Sequence, residues 1–111
     1  MFHNCQNLTS INLNNFVTTN LKYMEYMFQN CLKLKSLEIS HFTTSNVVTM
    51  TNLFCWCPSL TSVDVSHFDT SQVTDMCAMF ARCESLKEIN VINFNTQQVL
   101  NMSNMFEFCL S

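Results

Sequence analysis

Phenylalanines recur at Phe2, Phe28, Phe54, Phe80 and Phe106, 26 residues apart at every step. Cys5, Cys31, Cys57, Cys83 and Cys109 keep the same interval, and so do Phe16, Phe42, Phe68 and Phe94. A fixed period within about 20–50 residues marks an architecture of stacked repeats. Each repeat then buries its apolar face against its neighbours, and function sits on a surface rather than in one pocket. The 111 residues read as a single repeat array, 1–111, of about four 26-residue repeats. Met1 is in phase with Met27, Leu53, Met79 and Met105, and the chain ends mid-repeat at Ser111, so a piece of a longer array is expected.

Composition narrows the class. Hydrophobic residues make up 48% of the chain, enough for a sizeable core. Charged residues are 12%, about half the ~25% of an ordinary soluble domain, which leaves the surface to Asn, Thr, Ser and Gln. The net charge of −3 comes with no cluster of lysine or arginine, which argues against nucleic acid as a partner. No stretch approaches the ~20 apolar residues of a membrane span, so no membrane insertion is expected of this segment. Glycine is absent, so positions needing positive φ fall to the next most tolerant residues, Asn and Asp. The many asparagines fit that need, and they equally fit a compositionally biased genome.

Within one repeat, Leu34-x-x-Leu37-x-Ile39 alternates in the manner of a short strand. It is matched by Leu8/Ile11/Leu13, Leu60/Val63/Val65 and Leu86/Ile89/Val91. One strand per repeat, always in the same direction, predicts parallel pairing. The unit closes with Met50, Leu53, Phe54 and Cys57 at i, i+3, i+4, i+7, the spacing of one face of a two-turn helix. Thr49, Asp75 and Asn101 precede that segment as N-caps, whereas Tyr23 cannot cap, so the first helix should fray. Between strand and helix, Phe42 and Val47 should point inward. The recurring Thr18, Thr44, Thr70 and Thr96 should bury a hydroxyl that bonds loop backbone. The fold class expected from these elements is an α/β repeat solenoid with one short parallel strand and one short helix per 26-residue repeat.

The run from Pro58 to Cys83, with its Leu60-x-x-Val63-x-Val65, Phe68-Asp69-Thr70-Ser71-x-Val73-Thr74-x-Met76 and Met79-Phe80-x-x-Cys83 blocks, resembles the 26-residue repeat of BspA-like bacterial surface proteins. The likeness covers the whole chain. It implies a leucine-rich-repeat-like solenoid on secreted or surface-anchored proteins, an extracellular or cell-surface location, and adhesion or partner binding rather than catalysis. The family often has Gly just before the repeat Cys. Here that position holds Asn4, Asn30, Trp56, Arg82 and Phe108, the last three being strained if positive φ is required. The family's Asn before the loop Phe is kept at Asn15 and Asn93 and is His41 and His67 in the middle.

The phased cysteines read first as small buried hydrophobes. Disulfides and a metal site are the alternatives, although zinc needs four ligands converging in one small sphere and a ladder spreads them. Cys55 and Cys77 are out of phase, on what would be the outer helix face, and read as incidental. His41 and His67 form either a stacked imidazole pair able to hold a metal or, more simply, a polar ladder with Asn15 and Asn93. No cysteine–histidine pair with an orienting acid is singled out, so no enzyme, no cofactor and no resident metal are expected.

The outward strand positions are the candidate binding face: Ser36, Glu38, Ser40, Ser62, Asp64, Ser66, Glu88 and Asn90. The competing face carries Tyr23, Tyr26, Trp56 and Phe108, residue types that anchor interfaces. The expected function is a non-enzymatic surface module for adhesion or protein–protein interaction, binding a protein or surface glycan on its strand face. The alternative is a structural array that self-associates through its repeat ends into a fibre or surface layer. Ice binding is a remote third option, requiring the threonine row to be exposed.

Overall fold

A computed structural model describes residues 1–109. The 26-residue units lie side by side as successive coils, each in register with the next. Two short strands, β1 (Ser36–Leu37) and β2 (Ser62–Val63), pair in parallel with Ser36 opposite Ser62 and Leu37 opposite Val63. On another side of the coils Tyr23, Thr49, Asp75 and Asn101 form a row of single parallel pairings. Both registers equal the sequence period, so each residue type meets its own counterpart.

The phenylalanines show this most directly. Phe2, Phe28, Phe54, Phe80 and Phe106 stack ring on ring, with centroids 5.5–5.7 Å apart and interplanar angles of 2–16°. Around them, all nine inward positions of the type repeat are buried: Leu34, Leu37, Ile39, Phe42, Val47, Met50, Leu53, Phe54 and Cys57. The equivalents from Leu60 to Cys83 are buried as well, and the whole set forms one continuous apolar cluster.

The helix is where expectation fails. Among the described residues there are no helices, and β1 and β2 are the only strands of more than one residue. The chain is therefore not an α/β solenoid of the leucine-rich-repeat kind with a helix in every repeat. Residues 50–57 instead make consecutive tight turns, closed by Leu53 N–H to the Met50 carbonyl (3.1 Å) and Cys55 N–H to the Asn52 carbonyl (3.2 Å). Every second N–H in this stretch leaves the unit. Those of Met50, Asn52, Phe54 and Trp56 donate to the carbonyls of Asp75, Cys77, Met79 and Ala81 at 2.8–2.9 Å. An N–H committed to the neighbouring coil cannot bond four residues back. A two-turn helix is marginal on its own, and the stack offers its backbone better-placed partners.

Tight turns need left-handed residues, and the chain has no glycine to supply them. Two positions per coil have φ between 52° and 62°: Tyr26, Asn52, Ala78 and Asn104 in one row, and Asn4, Asn30, Trp56, Arg82 and Phe108 in the other. The second row is the position before the repeat cysteine, so Trp56, Arg82 and Phe108 do carry the strain expected there. Four of the nine are asparagines, the residue that tolerates this region best after glycine.

Other asparagines and aspartates cap turns by accepting the N–H two residues on. Asn12 caps Asn14, Asp69 caps Ser71, Asn90 caps Ile92, Asn95 caps Gln97 and Asn101 caps Ser103, all at 3.0–3.1 Å. Asp75 does the same for Cys77 at 2.8 Å and Thr49, more loosely, for Thr51 at 3.4 Å. The residues expected to cap helices therefore cap turns, through the side-chain geometry that mimics a backbone turn.

The threonine row behaves as expected in the covered coils. Thr18, Thr44 and Thr70 are buried, whereas Thr96, expected to be buried with them, is exposed on the last coil described. The Thr44 hydroxyl donates to the Asp69 carbonyl (3.1 Å) and accepts from the Asp69 N–H (2.8 Å), and Thr70 repeats both bonds with Asn95. A flat exposed threonine face, which ice binding would need, is not what these residues form.

Candidate functional site

The pleat of β1 and β2 turns Leu37, Ile39, Val63 and Val65 into the core and leaves Ser36, Glu38, Ser62 and Asp64 outside. Across three successive coils this outer surface is concave. It forms an open trough of about 640 Å³ lined by Ser36, Glu38, Ser62, Asp64, Glu88 and Asn90, with Leu37, Val63 and Ile89 along its floor. Six of the eight residues picked out as a binding face thus share one depression. Ser40 and Ser66 lie outside its lining, at the turn that ends each strand segment.

That turn engages two of the acids. Ser40 N–H donates to Glu38 Oε1 at 3.0 Å, while Ser66 donates to Asp64 Oδ1 from its N–H (2.9 Å) and its hydroxyl (2.6 Å). The Ser40 hydroxyl and N–H hold the Glu38 carboxyl below its usual range, and Ser66 does the same to Asp64. Glu38 and Asp64 are therefore turn caps as well as surface charges. Together with Glu88 they set one acidic residue on each of the three coils that shape the trough.

The phased thiols face inward. Cys31, Cys57, Cys83 and Cys109 each donate Sγ–H to the carbonyl of a phenylalanine in the preceding coil, at 3.0–3.3 Å. All seven cysteines are free. The adjoining Cys31 thiol and burial raise Cys57, and burial pushes Cys83 up to about 12, so both stay protonated at neutral pH. Cys55, expected on an outer face, is buried, and desolvation raises it. Among the described residues no three of His, Cys, Asp and Glu come together as a metal-holding group.

His41 and His67 sit in equivalent places. Nε2 of His41 bonds the Leu13 carbonyl and Nε2 of His67 the Ile39 carbonyl, each at 2.9 Å, and each ring stands edge-on to the following phenylalanine. Asn93 makes the analogous bridge to the Ser66 carbonyl. These side chains tie neighbouring coils together.

A different part of each coil carries a column of large side chains. The Arg82 guanidinium lies between two rings, 4.7 Å from the centre of Trp56 and 4.0 Å from that of Phe108. All three occupy the left-handed row, where the backbone throws side chains outward into a column. The signal was present in the sequence, since these positions share a phase with Asn4 and Asn30. Departure from glycine at five positions does not by itself show that their side chains stack.

Among the described residues no helix is long and apolar enough to cross a membrane. The chain belongs to the family described as Mycoplasma protein of unknown function, DUF285, whose model matches residues 1–111. Neither the curated proteins nor the solved structures give a match.

Proposed function

We propose that this family member is a non-enzymatic binding module of the cell surface whose trough receives a basic, extended segment of a protein partner. The observation that carries the reading is the set of acids Glu38, Asp64 and Glu88 on successive coils around one open depression. A polypeptide laid across the coils would present a side chain to each acid in turn, over an apolar floor of Leu37, Val63 and Ile89. Such acidic complementarity favours selection and fast encounter with a basic partner. The BspA-like resemblance and the surface location it implies belong to the same proposal, and the family match is compatible with both.

The test is calorimetric titration with a short arginine- and lysine-rich peptide. Asp64→Asn retains an acceptor for Ser66, and Glu88→Gln removes a second charge. The double variant should lose most of the peptide affinity while still melting cooperatively at neutral pH, with a midpoint lowered only by the loss of the Asp64 charge at its turn, and unchanged binding would remove the trough from consideration.

A further inference from the structure

The column that contains Arg82 starts with Asn4 and Asn30, and its members meet in chain order. Asn30 Nδ2 donates to Asn4 Oδ1 at 2.7 Å, and Arg82 lies against Trp56 from the C-terminal side. The other face of the Trp56 ring is therefore turned toward the coil that carries Asn30. There it borders a depression of about 410 Å³ lined by Gln6, Gln29, Asn30, Leu32 and Trp56. Gln29 also borders a second depression of about 390 Å³, with His3 and Tyr26. Gln29 thus stands between two aromatic rings, Trp56 and Tyr26, that are 45% and 44% exposed. Both volumes fall in the ~300–1,000 Å³ range of small-ligand sites.

We propose that this surface is a binding site for a neutral oligosaccharide, with Trp56 and Tyr26 as stacking platforms and the amides of Gln6, Gln29 and Asn30 as hydroxyl partners. A pyranose ring shows C–H groups on one face and hydroxyls around its rim. The C–H groups carry partial positive charge and rest against the negative face of an aromatic ring. Side-chain amides both donate and accept, which matches hydroxyls that do the same. The lining favours a neutral ligand. It contains no Asp, Glu, Lys or Arg to pair directly with a charged group, and the anionic probe below tests whether His3 or the Arg82 charge behind Trp56 draws an anion instead. A cation is disfavoured because the Arg82 guanidinium already occupies the far face of Trp56 and would repel a second positive group. The site is formed by a different part of each coil from the trough and is independent of it.

Trp56 is the only tryptophan in the chain, so its fluorescence reports on the site directly. The full chain is titrated with chitotriose, maltotriose and, as an anionic comparison, sialyllactose, each to about 20 mM so that millimolar binding is covered. At least one neutral trisaccharide should give a saturable change, with matching heat by calorimetry. Trp56→Asn places at this left-handed position the residue found at Asn4 and Asn30, so the fold is retained, as a thermal melt will show. It should abolish the heat, and Gln29→Ala should weaken binding about ten-fold or more, or about 1.4 kcal/mol. Asp64→Asn/Glu88→Gln should bind the sugar as wild type does. The proposal is overturned if neither neutral probe gives a saturable signal, if only the anionic one does, or if Trp56→Asn or Gln29→Ala binds like wild type.

Discussion

The Arg82 guanidinium rests 4.0 Å from the centre of the Phe108 ring, and both residues hold a left-handed backbone, with φ of 61° and 58°. A non-glycine residue in that region costs roughly 1–2 kcal/mol. An exposed cation–π contact returns about 0.5–1 kcal/mol, and Arg82 makes two, one to Phe108 and one to Trp56. The two contacts together are comparable to the strain at one of these positions and offset part of the strain that Trp56, Arg82 and Phe108 share.

Ala78 has φ of 52° and only a methyl group, which can make no cation–π contact, in a row it shares with Tyr26, Asn52 and Asn104. Ala78→Gly should raise stability by about 0.5–1 kcal/mol, the relief of strain less the extra entropy glycine loses on folding. Arg82→Gly removes strain and both ring contacts together and should give no gain. Urea titrations of the two variants check this, and equal gains would mean that the stack contributes nothing.

Thr44 both donates to and accepts from the backbone of Asp69 in the next coil. Thr44→Val keeps the volume and strands two partly buried backbone groups of Asp69, at a cost toward the low end of about 1–3 kcal/mol for each group left unsatisfied. Thr44→Ser keeps the hydroxyl and should recover most of that loss. A Val variant as stable as wild type would show that these bonds are not needed.

Acid should loosen the turns. Glu38, Asp64 and Asp69 are each held below their ordinary values of 4.5, 3.8 and 3.8 by the serine two residues on. A carboxylate depressed in the folded state adds stability that is complete above its unfolded value and is lost as pH falls through its lower folded value. Thermal midpoints should hold down to about pH 5 and decline below it. Asp64→Asn, which keeps an acceptor without a charge, should flatten the decline; an unchanged acid slope would assign the loss to other groups.

The two kinds of element were not equally legible in the sequence. The period placed every inward residue from Leu34 to Cys57 correctly, because a residue that recurs in register must stack on its counterpart whatever the backbone does between them. The hydroxyls of Thr18, Thr44 and Thr70 and the capping residues before Met50, Met76 and Met102 were legible for the same reason, whereas Thr96 is exposed because no described coil covers it. The helix was not, because spacing at i, i+3, i+4, i+7 has two solutions. One is a helical face, and the other is the pair of successive turns seen over residues 50–57, which brings Met50, Leu53, Phe54 and Cys57 to the same core. Only the partner of each N–H separates them, and that partner lies in the next coil. The trough was legible from outward alternation, apart from Ser40 and Ser66, whose place at the turn depends on hydrogen bonds to Glu38 and Asp64 that periodicity does not reveal. The Arg82 column needed the left-handed row to be known first.

Burial depends on position in the stack. Phe54 is fully buried between Phe28 and Phe80, while Phe106 is 45% exposed. Phe54→Ala should cost about 3–5 kcal/mol, and Phe106→Ala less than half as much. Similar losses at both sites would argue against an ordered row.

The most direct test of coils in register is a nuclear Overhauser experiment on protein labelled at its phenylalanine rings. Contacts should appear between Phe28 and Phe54 and between Phe54 and Phe80, whose centroids lie 5.7 and 5.5 Å apart, with none between Phe28 and Phe80. A direct Phe28–Phe80 contact, or no contact from Phe54 to either ring, would contradict the stacked arrangement on which the trough and the aromatic column both rest.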